Sequence, residues 1–501
     1  MAGTPKTVQM FTRNGPFAAD SPLQRRPAAM GRYCEMRVFV PIVVPNQEST
    51  HTENSMSAAH HDPAGPAPGA PERDPALAHG DPAKIAPSEI AIGVIIGRVS
   101  EFFDFFVFGI AAVIVFPSVF FPYTTPLTGT LYSFTVFSFA FIARPIGSLA
   151  FRVIHQRYGR GVKLTIALFM LGTATAGIAF LPGYADIGKT SIILLSLLRI
   201  GQGLAVGGSW DGLPSLLALN APPKHRGWYA MIPQLGAPIG FIIAAGLFTF
   251  LISNLSAEDF NSWGWRYPFY VAFAINVVAL FARLRLVVTP EFTQLLKTRD
   301  LEPSPLGELM RTQGANIAIG SFAPLASYAL FHLVTIFPLS WLVLFTQYSV
   351  GNILIVQIIG AAIAMPCMMI SGKIADRFGR RTTLGIFAVM IAVYSGWTPV
   401  LLSGGTTGGY IFILLGFALL GFSHAQSAGA VNSSFASRYR YSGAVFTSDL
   451  SWLTGAAFAP LIALELAVRL GVGYVGLYLL SGALVTLAAL RINRSLEERD
   501  D

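Results

Sequence analysis

The sequence of 501 residues predicts an all-α membrane protein, with twelve transmembrane helices in two six-helix pseudo-symmetric halves. Three observations predict it. Only 12% of the residues are charged, about half the roughly 25% usual in a soluble domain, while 53% are hydrophobic and the mean hydropathy is +0.57. A soluble monomer would leave far too much of that apolar surface in water, which excludes an ordinary soluble enzyme, a coiled coil and a disordered chain. From about Ile90 onward, apolar runs recur that are long enough, at 1.5 Å per residue, to cross about 30 Å of hydrocarbon. Finally, RVIHQRYGR at Arg152–Arg160 returns as GKIADRFGR at Gly372–Arg380, and each copy follows the second run of a set of six.

The chain is read in order as follows. Residues 1–86, rich in Pro, Ala, Gly and His with no apolar period, form a polar segment expected to be disordered, and Met56 opens a leader compact enough to be the true start. The N-terminal half, 87–287, holds runs at 90–120, 128–151, 163–182, 190–218, 228–253 and 266–287. A charged central loop, 288–315, joins it to the C-terminal half, 316–494, with runs at 316–345, 351–374, 383–403, 408–436, 444–468 and 471–490. A tail, 495–501, closes the chain.

Basic residues mark alternate loops. Arg152, Arg157, Arg160 and Lys163 follow the second run, Lys224 and Arg226 the fourth, Arg283 to Arg311 flank the centre, Lys373 to Arg381 follow the eighth, and Arg438 and Arg440 follow the tenth. By the positive-inside rule these loops and both termini are cytoplasmic, in a cell inner membrane. Topology thus accounts for the net charge of +8, and no nucleic-acid partner is implied. Cys34 and Cys367 suggest neither a disulfide framework nor a metal site, and no cofactor is expected.

With these motifs in place, the sequence resembles the major facilitator superfamily and its metabolite:proton symporter branch. GKIADRFGRR is similar to the superfamily's loop signature and LLRIGQGLAVGG, at Leu197–Gly208, to its fourth-helix signature. EFFDFFVFG from Glu101, RPIGS from Arg144, PPKHRGWYAMIPQLGAPIG from Pro222, WGWRYPF from Trp263, TPEF from Thr289 and RYRYSGA from Arg438 resemble the branch. The resemblance implies the major facilitator fold and transport of organic acids, sugars or zwitterionic osmolytes. The chain also departs from the pattern. In the first loop copy the family's Gly is Arg152 and its Asp is Gln156, and carboxylates of the branch are replaced by Ser209, Asn220 and Ser433. Either Asp211 takes over from the acid at Ser209 or coupling differs.

A proton-coupled carrier needs an ionisable group in a dry but intermittently hydrated cavity. Asp104, about 21 Å along the first helix from Ile90, is the first candidate for proton coupling, with Glu101 on nearly the same face as a second carboxylate that would raise the pKa of one of the two. Asp211, read as lying on the same helix as Arg199, is a relocated coupling acid or a gate residue. Arg199 is the leading candidate to bind an anionic substrate. Arg144 either anchors its helix or touches substrate, and Gln234, Tyr328, His332, His424, Gln426 and Asp449 are further cavity candidates. Asp376, Arg377, Arg380 and Gly372 are expected to latch helix ends when the cytoplasmic side closes. Small residues such as Gly203, Gly207, Gly236 and Gly240 should let helices approach, and the WGWRYPF aromatics should sit at the membrane interface.

The function expected is alternating-access proton symport of a small metabolite, an organic acid by preference, by a monomeric unit. The alternatives are proline or betaine uptake, efflux, and a non-transporting sensor on a carrier fold. An enzyme is not expected, since no nucleophile motif or paired metal spacing converges.

Overall fold

A computed structural model describes residues 87–287, 303–346, 348–428 and 435–500. The segment 1–86 with Met56, the TPEF motif at Thr289 and Ser433 lie outside the described residues. Among those described, all regular structure is helical. Ten helical stretches are long and apolar enough to cross a bilayer. One of them, Pro126–Phe180, breaks at Gly159 (φ 85°, ψ 173°) and so serves as α2 (126–158) and α3 (160–180). The helix α1 (Pro87–Ile114) fails the same test because Arg98, Glu101 and Asp104 sit close together in it, but it is long enough to cross. With these two the described chain makes twelve crossings. The others are α4 (Lys189–Leu217), α5 (Arg226–Asn254), α6 (Gly264–Arg285), α7 (Leu306–Phe345), α8 (Val350–Phe378), α9 (Arg380–Ser403), α10 (Gly405–His424), α11 (Arg440–Arg469) and α12 (Gly473–Ile492).

Several boundaries differ from the sequence reading for local reasons. Helix α7 begins at Leu306, inside the stretch read as loop, because Glu308 there reaches the start of α11, pairing with Arg438 at 3.0 Å and accepting from the Tyr439 hydroxyl at 2.5 Å. Helix α10 ends at His424, earlier than residue 436, in a turn over residues 425–428. The closely spaced last pair is separated at Gly471, whose φ of 101° favours glycine. The WGWRYPF aromatics are divided: Trp263 and Tyr267 are exposed, but Trp265 and Phe269 are fully buried against Phe116.

The packing that positions the interior is backbone against backbone. A Cβ at Gly203 would run into the carbonyl of Ala140, and one at Gly207 into the carbonyl of Arg144, so α4 lies directly on α2. Gly236 and Gly240 bring α5 onto α1 at Arg98 and Phe103 in the same way. Between helices that share a membrane, where burial of apolar side chains from water gives little, such close contact is what holds them. Across the middle of the bundle Phe102, Phe105 and Phe106 of α1 meet Phe331 and His332 of α7, with Phe106 and Phe331 stacked at 5.5 Å.

Replacing Gly207 by Val should destabilise the protein by about 1–3 kcal/mol through overpacking. Gly246→Ala, which meets open space inside a helix, should leave the melting temperature in detergent unchanged or slightly raised. Equal melting temperatures for the two variants would contradict the α2–α4 contact.

Candidate functional site

The close approach of α2 and α4 leaves a chamber lined by Asp104, Arg199, Gln202, Arg144, Phe105 and Trp452, among others. Arg199 is buried and stacks on Phe108 at 4.0 Å and Phe137 at 4.9 Å, a cation–π setting. Its Nε donates to the Phe137 carbonyl at 3.3 Å and its Nη1 to Gln202 Oε1 at 3.0 Å, while its Nη2 is buried with no hydrogen-bond partner. The Gln202 amide donates to the Thr175 hydroxyl at 2.8 Å, and that hydroxyl lies 2.8 Å from Asp104 Oδ1 and 2.9 Å from the Leu171 carbonyl. A hydroxyl has one proton to donate, so Thr175 can serve either acceptor as Asp104 changes charge.

Glu101 and Asp104 do not form the coupled carboxylate pair expected from their spacing. Glu101 is taken by two arginines, Arg98 at 2.6 Å and Arg283 of α6 at 3.0 Å, and also accepts from Ser209 at 3.1 Å. Asp211 is not on the helix of Arg199. That helix gives out at Gly208, and Asp211 lies in the break before Leu213–Asn220, where Gly212 has φ 79°. There its Oδ1 accepts from the Leu213 N–H at 3.0 Å and its Oδ2 meets Arg283 at 2.8 Å. An interruption of this kind inside a membrane bundle is tolerated because protein groups satisfy the freed backbone: Arg283 also donates to the Ser209 carbonyl at 2.6 Å.

Arg144 is neither a surface anchor nor a snorkelling residue. It is paired at 2.6 Å with Asp449 of α11, across the two halves; Asp449 is buried and Arg144 half-buried. Ser148 donates to the other Asp449 oxygen. A second chamber, sharing Arg98 and Trp452 with the first, is lined by Gln234, Tyr328, Ser427 and Ser451, so Gln234 and Tyr328 are placed at a cavity. His332 and His424 line neither chamber: His332 is enclosed by Phe105, Phe137 and Phe141, and His424 by Tyr328, Phe331 and Trp452. Gln426 donates to the Gly227 carbonyl at 3.2 Å.

At the end of the bundle that carries the basic loops, Asp376 of α8 accepts from the N–H groups of Gly227 at 2.7 Å and Trp228 at 3.2 Å. It thus caps the first turn of α5, whose own chain supplies no side-chain cap. Gly372 belongs to the same contact, since a Cβ there would come within 3.1 Å of Trp228 Cα. Arg377 is exposed and lies over Phe378 at 5.4 Å, and Arg380 opens α9 after Gly379, so the cap itself is Asp376 alone of the three. In the other copy Gln156 is exposed, and the cross-half contact is made by Lys163, which donates to the Trp210 carbonyl and reaches the Tyr441 hydroxyl at 3.3 Å.

Sequence reasoning passed over Arg98, Thr175, Gln202 and Trp452 as site residues and read Arg283 only as a loop charge. Arg283 lay inside the apolar run 266–287, and Arg98 one helical turn before Glu101, so both signals were present. Nothing in the sequence marks Thr175.

Two sets of six crossings around an interior chamber with charged groups in an aromatic wall make the layout of a secondary carrier. The family model for sugar (and other) transporters matches residues 90–311. The inner membrane metabolite transport protein YhjE of Escherichia coli is 38% identical over 80% of this chain and 93% of its own length. The shikimate transporter of E. coli is 30% identical over 79% and 92%, and a proline/betaine transporter of Salmonella typhimurium 29% over 74% and 75%. A crystal structure of a D-xylose-proton symporter, 19% identical, superposes with a TM-score of 0.63 over 81% of this chain and 97% of that one. The chain belongs to the major facilitator superfamily, among its sugar and metabolite transporters. It is a multi-pass membrane transporter, not an enzyme.

Two outcomes follow from the cross-half contacts. Arg144→Gln alone should cost about 3–5 kcal/mol in detergent unfolding by stranding Asp449, with most of the loss recovered in Arg144→Gln/Asp449→Asn. Asp376→Ala, which removes the acceptor of the Gly227 and Trp228 N–H groups, should slow transport several-fold, whereas Gln156→Ala should stay within about a factor of two. Equal effects on transport would remove the asymmetry between the two loops.

Proposed function

We propose that this metabolite transporter is an alternating-access proton symporter of an organic acid, in a cell inner membrane with the basic loops and both termini cytoplasmic. The observation that carries the reading is Arg199, in the wall of the chamber that Asp104 also lines, with its Nη2 buried and without a hydrogen-bond partner among the described residues. A guanidinium nitrogen left unpaired in an apolar interior is costly, and a carboxylate is the group that best satisfies it. Asp104 is the proton site: among the described residues its carboxylate has one side-chain hydrogen-bond partner, a hydroxyl that accepts as well as donates, and no ion pair within 4 Å. Protonation of Asp104 from outside lets the substrate carboxylate settle at Arg199. The halves then rock, Asp376 leaves Gly227 and Trp228, and substrate and proton depart inside.

A zwitterionic osmolyte is the second reading. It is favoured by the aromatic wall of Phe102, Phe105, Phe141 and Trp452, which would receive an ammonium group.

Uptake of a labelled panel of organic acids and osmolytes, with and without a protonophore, tests both. Accumulation of an organic acid that collapses with the protonophore is expected. Asp104→Asn should abolish accumulation while keeping exchange of substrate for substrate, and Arg199→Gln should raise the half-saturating concentration about 10- to 100-fold through loss of a charged hydrogen bond. Full accumulation in the presence of the protonophore rejects symport, and binding without uptake identifies a sensor instead.

A further inference from the structure

The charges around the chamber sum to zero, and from that balance we infer that the carrier takes one monocarboxylate together with one proton and moves no net charge. The inference rests on the roles proposed above for Asp104 and Arg199. Five charged groups line the chamber, Arg98, Glu101, Asp104, Arg144 and Arg199, and their ion pairs add Arg283, Asp211 and Asp449. Four guanidinium groups therefore face four carboxylates. Three of the carboxylates are committed: Glu101 to Arg98 and Arg283, Asp211 to Arg283, and Asp449 to Arg144. Lys163 lines a separate pocket with Tyr441, its amine on the Trp210 carbonyl, and among the described residues neither it nor His332 nor His424, which are packed among aromatic rings, has a carboxylate within 4 Å.

What remains is Arg199 and Asp104, joined only through Gln202 and Thr175. With Asp104 ionised the empty chamber is neutral. Protonating Asp104 leaves a single uncompensated charge, that of Arg199, and one carboxylate restores neutrality. A dicarboxylate would leave one negative charge in the chamber, and a sugar or a zwitterion one positive charge, each disfavoured where water is excluded. The walls fit the same ligand, because Phe102, Phe105, Phe141 and Trp452 offer an uncharged surface for the body of the anion. The empty and the loaded carrier then both reorient as neutral chambers, so membrane potential acts on neither.

The test uses the purified full chain in proteoliposomes with a fixed pH gradient, the potential being clamped at zero or at about −120 mV inside by potassium and valinomycin. Labelled shikimate and mandelate serve as monocarboxylates, succinate as dicarboxylate and proline as zwitterion. Accumulation of a monocarboxylate should follow the pH gradient at about tenfold per unit and be the same at both potentials, whereas transfer of one net charge would raise it about 100-fold at −120 mV, at 59 mV per tenfold. A rise of that kind overturns the stoichiometry and leaves proton symport standing. Uptake indifferent to the pH gradient overturns the symport reading itself. Entry of succinate or proline with neither monocarboxylate, or failure of both monocarboxylates to enter, overturns the inference. In Asp104→Asn the monoanion crosses without its proton, so inside-negative potential should slow exchange-independent uptake of shikimate; an unchanged rate counts against the balance.

Discussion

The structure depends on the cost of holding charge where there is little water. Inside the bundle arginines and carboxylates occur in matched sets, and these sets tie together helices that are far apart in the chain. Glu101, Arg283 and Asp211 join α1, α6 and the break in α4, while Arg144 and Asp449 join the two halves. Such pairs add little to stability compared with a well-packed apolar core, but losing one member strands the other, so they impose arrangement more than they add strength. The broken end of α4 exists on these terms, since Arg283 occupies a carbonyl that the helix no longer uses.

Small residues make the second contribution. Because Gly203 and Gly207 put α4 directly on α2, the long side chains of Arg144 and Arg199 reach the same chamber from adjacent helices. Gly236 and Gly240 hold α1 equally close to α5, which keeps Asp104 facing inward, away from lipid. Side chains bulky enough to separate these backbones would open the chamber and admit water to the charges at once.

The crossings, the repeat and the individual charged candidates were legible in the sequence because length, hydropathy and isolated charge are local properties. The partners were not. Arg144 and Asp449 each drew attention separately, but a contact between residues so distant in the chain is set by tertiary packing. Asp211 was misplaced because an apolar run does not reveal where a helix stops, and the left-handed Gly212 that follows it resembles any other glycine in a glycine-rich stretch. Glu101 looked like a partner for Asp104 because helical spacing puts them on one face, but its partners are Arg98, the neighbour at the same spacing on its other side, and Arg283, which comes from α6. Thr175 carried no signal, since hydroxyls are common in such helices.

The cap that Asp376 supplies to α5 has a consequence for how the two access states are populated. A capping interaction contributes about 0.5–2 kcal/mol, so its loss shifts an equilibrium by roughly two- to thirtyfold. The cap alone therefore tips the balance between the two states without fixing it, and the rest of the hold across the halves comes from contacts such as Arg144 with Asp449 and Lys163 with Tyr441. A lock built from several buried ion pairs would demand far more differential affinity to reverse, on the order of 10⁴-fold for a complete switch. A carrier must return empty as well as loaded, and a closure that thermal motion can undo permits both journeys.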